Sequence, residues 1–448
     1  MKKLVYHFIS TLCALGCLQQ GFAQQTNIET LETLNLEQAI ALALENNQAL
    51  KIVQKQVAIA DAQATRGNAG LLPTLNLIGN GNYANNDTEL TIRTFLPDPP
   101  TQTFDENGVA STTLQGVVQA DYQIFAGFRG KYQYKLLENQ SNRSKYQQQA
   151  TIQQTIAEVS TLFLEIAKLQ RREELLRETL KITEDRIVRI QDQKAFGKAT
   201  GLDVLNASTD LNRDRTVLDQ VRLQKNTLKR DLNFLIGYVP ERRYWVTASY
   251  STAAITDLNQ VKSAVRTKNP NVLLAQEGVL AAQNEIGIAR SGALPQFGVF
   301  ANYGYFYQEN DVQQLAEITN VGYTVGGRLT LNLFNGGQSK TRVQTAKQRK
   351  ETTKLEKAQL EDRLVTDAVT QVNRIRILED QLSREQQNLN TFQQAFVRTE
   401  ERFKNGKVTN LDIRDAQTAL LNAQISISEL QADLMIADIF LRTLMGAL

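Results

Sequence analysis

The chain has 448 residues, with 50 Lys and Arg against 47 Asp and Glu, one His, two Cys and seven Pro. Its formal charge of +3 gives no electrostatic footprint for nucleic acid. His7, Cys13 and Cys17 all lie near the start, so no disulfide, thiolate or imidazole chemistry is expected of the rest.

Lys2 and Lys3 precede an apolar run from Leu4 to Leu18, and Gly21-Phe22-Ala23 offers a small-x-small cleavage site. Residues 1–23 read as a secretory signal peptide, leaving 425 residues with a formal charge of +1. Lipoprotein processing at Cys17, after Ala14-Leu15-Gly16, is the rival reading. No later stretch of 18 apolar residues suggests a transmembrane helix. With no helix to span a membrane, an exported chain is a soluble periplasmic protein, a secreted one or a β-barrel protein.

From Leu36 apolar residues recur at helical steps, predicting one helix to about Gly67–Gly70, where Gly and then Pro73 stop it. Alternation then predicts strands at about 73–85 and 114–125, separated by a long polar loop holding Pro97, Pro99, Pro100 and Asp105-Glu-Asn-Gly108. Residues 131–196 form an uninterrupted helical pattern roughly 100 Å long. Gly197 breaks it, and Leu202 restarts helix as far as Gly237. Residues 238–257 are a mixed connector containing the only Trp, Trp245.

The cycle then repeats. Leu36-Glu-Gln38 matches Leu258-Asn-Gln260 at an offset of 222, and Leu72-Pro73 matches Leu294-Pro295. Strands are predicted at about 295–307 and 321–334, and a second long helix at 340–404. From Phe125 to Gly237 the chain matches Phe334 to Gly446 at a constant offset of 209 without a gap. The first hairpin loop is therefore 13 residues longer than the second. A gapless register of this length marks an internal duplication, with repeats at 24–237 and 258–448.

The predicted strands are long enough to cross a bilayer when tilted, with an apolar, Tyr-bearing face opposite a polar one. Four strands cannot close a barrel, and open edges are not tolerated in lipid, so the chain is expected to oligomerise. A trimer would supply 12 strands. The plainer alternative is a pair of soluble hairpins capping a helical stalk.

In its duplicated layout, the chain resembles the TolC-like outer membrane efflux protein family over essentially its whole mature length. The resemblance also rests on the opening Leu36-Glu-Gln-Ala39-Ile40-Ala-Leu-Ala43-Leu-Glu-Asn46-Asn47 and on two Gly-x-x-Thr-x-Leu-Asp-(Val/Ile) turns, at Gly197 and Gly406. It implies a mainly α fold with a β-barrel part: a homotrimer whose 12-stranded outer-membrane barrel continues as a periplasmic α-helical barrel. It further implies a passive exit duct for efflux or secretion that docks a periplasmic adaptor and an inner-membrane pump. No cofactor, catalytic site or metal site is expected. A structural or adhesive coiled-coil envelope protein is the competing function.

Asp412 and Asp415, at i and i+3, share one face near the start of the last helix. The resemblance places acidic residues here at the narrowest part of the entrance, where carboxylate rings favour cations. Asp203 is the first-repeat equivalent of Asp412, whereas Asn206 stands where Asp415 would be. Capping by Thr200 and Thr409 is the plainer reading of Asp203 and Asp412. Gly197, Lys198, Thr200 and Leu202, with Gly406, Lys407, Thr409 and Leu411, form two tips that read either as an adaptor-docking surface or as ordinary turn chemistry. The Tyr and Arg that latch the family's entrance are replaced here by Phe403 and Val408. Tyr303, Tyr305 and Tyr307 suit an aromatic belt or strand packing.

Overall fold

The computed structural model describes residues 32–93, 101–250, 257–311 and 316–448. The signal segment, its His and Cys residues, and Pro97, Pro99 and Pro100 lie outside the described residues. A short strand β1 (Thr33–Asn35) leads into α1 (Leu36–Asn46) and α2 (Gln48–Gln63). Asn35 starts α1 through a reciprocal capping box with Gln38.

The single helix expected from Leu36 to the Gly67–Gly70 region is broken at Asn47. The side-chain oxygen of Asn47 accepts the Ala49 and Leu50 N–H groups, and its amide donates to the Leu235 carbonyl at 3.3 Å. An Asn offers the backbone an alternative to the helical bond, so a new helix N-terminus forms with the Ala49 and Leu50 N–H groups capped. The apolar stripe keeps its phase across a one-residue break, and periodicity alone does not register it. Helix α2 stops at Gln63, and Gly70 closes the following turn at φ +70°.

Strands β2 (Thr74–Arg93) and β3 (Thr101–Ala126) form an antiparallel hairpin well beyond the expected 73–85 and 114–125. Most of the presumed polar loop is paired strand. A bulge between Asn86 and Thr88 interrupts the ladder, and the Gly108 N–H donates to Asp87 at 2.9 Å beside it. The extension is largely polar in sequence, and Leu90 and Ile92 alone alternate in it, too short a run to signal a strand; β-branched Thr88, Thr91, Ile92, Thr101 and Thr103 still favour extended backbone.

Helix α3 (Arg129–Ala195) runs 67 residues and α4 (Gly201–Ile236) returns beside it. The connector then contributes β4 (Trp245–Thr247), which pairs in parallel with β1, Leu34 opposite Val246. The Gln170 side chain on α3 clamps both backbone groups of Val246. Leu34, Phe163, Ile166, Leu232, Ile236 and Tyr244 make a core around this small sheet at mid-length of the helical body.

The second half repeats the pattern with α5 (Leu258–Lys268) and α6 (Pro270–Ser291), β5 (Gln296–Asn310) and β6 (Glu317–Thr330), then α7 (Gln338–Lys404) and α8 (Asn410–Met445). Asn269 makes the same break as Asn47. Its oxygen accepts the Asn271 N–H at 2.9 Å, its amide donates to the Leu444 carbonyl at 2.9 Å, and Pro270 opens the next helix. The long helices begin at 129 and 338 and end at 195 and 404, a separation of 209 at both ends. Strand β6 occupies 317–330, earlier than the expected 321–334.

The main sheet has the order β2-β3-β5-β6, antiparallel throughout, with β3 and β5 joining the two halves. Leu77, Val118, Tyr303 and Tyr323 form one row across all four strands. That face is bare in the single chain: Leu77 is 80% exposed and Tyr323 79%. Beneath the sheet α3 is flanked by α4, α1 and α2 and by α6 and α8, while α7 packs on α6 and α8. Among the described residues no helix is long and apolar enough to cross a membrane.

Candidate functional site

At the end of the helices away from the sheet, two turns carry the predicted tip residues. Gly197 and Gly406 adopt φ of +72° and +67°, which a side chain would strain. Their N–H groups bond to the Lys194 and Phe403 carbonyls, and those of Lys198 and Lys407 to the Gln193 and Arg402 carbonyls. These paired bonds satisfy the last carbonyls of α3 and α7. Leu202 and Leu411 stand exposed just past the turns, and Phe196 beside the first is 80% exposed.

Asp203 and Asp412 each close a capping box within their own turn. One carboxylate oxygen of Asp412 accepts the Thr409 N–H at 2.8 Å and the Thr409 hydroxyl at 2.7 Å, and the Asp412 N–H donates back to Thr409 Oγ1 at 3.3 Å. Asp203 repeats this with Thr200, at 2.8, 2.6 and 3.2 Å. Hydrogen bonds from the threonine side chain, then from its backbone, hold both carboxyls below the ordinary carboxylate value. Asp415 is exposed one helical turn along and makes no hydrogen bond or ion pair among the described residues. The three acids are therefore unlike: two are spent on capping, and one is free.

The tips are joined by other residues. Ile190, Ala207, Phe403 and Ile413 are buried together, with Val204 and Val408 packed against them. Phe403 and Val408, which stand where the family carries its polar latch, pack instead in an apolar cluster between the two halves.

Behind that cluster lies an ionic one that the sequence reading did not assemble. The Arg414 guanidinium grips both oxygens of Asp214 at 2.8 and 2.7 Å and approaches Asp210 at 3.8 Å. Arg186, only 3% exposed, meets Asp210 at 3.0 Å. Thr183 Oγ1 lies 3.0 Å from Asp214, and Gln417 donates to Thr183 and to the Thr179 carbonyl. Helices α3, α4 and α8 are thus tied over roughly the first four turns above the tips. Asp210 and Asp214 at i and i+4 were a visible signal, but their partners come from two other helices.

No group of three acidic, His or Cys side chains suited to a metal ion occurs among the described residues.

Residues 39–238 and 261–447 match the outer membrane efflux protein family. The chain is 23% identical over 428 residues to the pyoverdine export outer membrane protein OpmQ of Pseudomonas aeruginosa, covering 92% of this chain and 85% of that one. It is 22% identical over 417 residues to the cation efflux system protein CusC of Escherichia coli O157:H7, covering 91% and 85%. The crystal structure of the outer membrane protein VceC from Vibrio cholerae superposes with a TM-score of 0.74 at 18% identity, covering 92% of this chain and 96% of that chain.

Proposed function

The chain belongs to the outer membrane efflux protein family, and from that membership we propose that three copies assemble into a passive exit duct through the periplasm and the outer membrane. The observation that carries this reading is the four-stranded sheet. It exposes a continuous apolar face, leaves β2 and β6 as open edges, and is continuous with two helices of 67 residues. Open edges in lipid leave backbone groups unsatisfied, and three such sheets closed edge to edge give a 12-stranded wall. The helices then extend about 100 Å from that wall, the reach of a periplasmic tunnel.

The tips are the entrance and the docking surface for a periplasmic adaptor, with an inner-membrane pump supplying the energy. Exposed Phe196, Leu202 and Leu411 favour an apolar partner surface there. Asp415, free of any cap, is the carboxylate that lines the constriction; Asp412 stands one turn before it with part of its charge directed to the cap. Relatives named for pyoverdine export and for cation efflux carry widely different cargoes.

Single-channel recording on purified protein in a planar bilayer tests the duct. Stable conductance steps are expected, with cation preference weakened in Asp415→Ala and less in Asp412→Ala. A protein that inserts yet never conducts, even with the tip disrupted, would overturn the reading.

A further inference from the structure

A basic cleft of about 680 Å³ opens at mid-length of the helical body, between α4, α3 and the turn before β4. Arg177, Lys225, Lys229, Arg230, Arg242 and Arg243 line it, against the single acid Glu241. Its cations are unequally served. Glu173 is shared by Arg177 at 2.5 Å, Arg222 at 3.1 Å and Lys225. Arg242 pairs with Glu32 at 2.7 Å and stacks 3.9 Å over Tyr238.

Lys229, Arg230 and Arg243 have no carboxylate partner among the described residues. The Lys229 ammonium donates instead to the Tyr244 carbonyl at 2.5 Å and lies 5.1 Å from the Tyr244 ring. Burial and then the Lys225 charge push this lysine down to about 8, against the opposing charge of Glu173.

We propose that this cleft binds a multivalent oxyanion, a ligand bearing phosphate or clustered carboxylate groups, held by Lys229, Arg230 and Arg243. Two guanidinium forks suit the planar edges of such groups, and Lys229 supplies a point charge deep in the cleft. Concave walls of one sign raise the local concentration of counter-charges. Arg177 lies 48 residues beyond Arg129, the start of α3. The cleft is thus roughly 70 Å along the helix from the sheet, beyond a lipid headgroup's reach. The anion is either free in solution or part of an extended polymer.

Titration calorimetry on the full-length protein in detergent, at about 0.15 M ionic strength, tests this with inorganic pyrophosphate. One saturable site per chain is expected, weakened about tenfold or more in the Arg230→Gln/Arg243→Gln variant, which breaks no internal ion pair. Long-chain polyphosphate binding far more tightly through the same residues identifies a polymer; equal affinity identifies a free anion. The proposal fails if no saturable binding appears, if the variant binds as well, or if chloride competes as strongly as pyrophosphate. It fails too if the variant loosens association between copies while pyrophosphate never binds, because acidic side chains of a neighbouring copy then fill the cleft.

Discussion

Glu173 accepts from three cations, and that fixes how it responds to acid. Burial alone would push its carboxyl up, but hydrogen bonds from Lys225 and Arg177, the Lys225 charge and Arg222 bring it down to about 2 from an ordinary 4.5. A lowered folded value means that its stabilisation is complete above the unfolded value and is lost as pH falls from about 4.5 to about 2. Glu173→Gln is therefore expected to flatten the pH dependence of urea unfolding in that window; an unchanged acid limb would show that Glu173 does not set it. Lys229 shifts stability in the same direction, in a higher pH window. Its value is lowered to about 8, so its penalty on folding is fully present below that pH and is relieved as pH rises towards 10.5. At the tips, Thr200→Ala removes both a capping hydroxyl and the donor that favours the Asp203 carboxylate. About 1 kcal/mol of local helix stability should be lost, read as faster amide exchange in the first turn of α4.

Among the elements, α8 is tied to α3 and α4 by the ionic and apolar clusters above the tips. Removing one partner of a buried pair strands the other charge, so Arg414→Ala should cost about 3 kcal/mol locally. Hydrogen exchange around 403–417 is expected to rise about 100-fold, while Arg414→Met with Asp214→Leu should recover most of it. Equal exchange in all three proteins would show that the cluster carries no load. The long helices, the turns at Gly197 and Gly406 and the four strands were legible in the sequence, because each shows its own period or breaker over many residues. The breaks at Asn47 and Asn269 were not, since one residue leaves the helical phase intact. The extension of the first hairpin was hidden because its apolar alternation is confined to Leu90 and Ile92 within a polar, Pro-bearing stretch. The Arg414 cluster was invisible for a third reason: it depends on the mutual rotation of three helices, which no single periodicity encodes. The roles of Asp412 and Asp203 remained divided between cap and entrance in the sequence, and the hydrogen bonds found here are those of the cap.

For the whole molecule, the unpaired edges of β2 and β6 make association the proposal most open to a direct check. With all Cys confined to residues 13 and 17, introduced thiols report cleanly. Asn76→Cys on β2, combined with single Cys substitutions scanned from Thr319 to Thr330 on β6, should yield one register in which oxidation links chains into closed trimers. A ladder continuing past three, or no cross-link at any register, would exclude a ring of three. The same scale brings out what the mid-length breaks do. Helices α3 and α7 run unbroken past them, whereas their companions are divided at Asn47 and Asn269, where the αL glycines Gly237 and Gly446 end α4 and α8. Added side chains at those glycines would strike Asn46 and the Lys268 carbonyl, so the contact is close at both. Each half thus pairs an unbroken rod with a divided one, and the break lies 36 residues, about 54 Å, from the tip. A rotation of about 5° about that point would displace the tip by roughly 5 Å, so a small repacking at mid-body is enough to shift the tips without unwinding a helix.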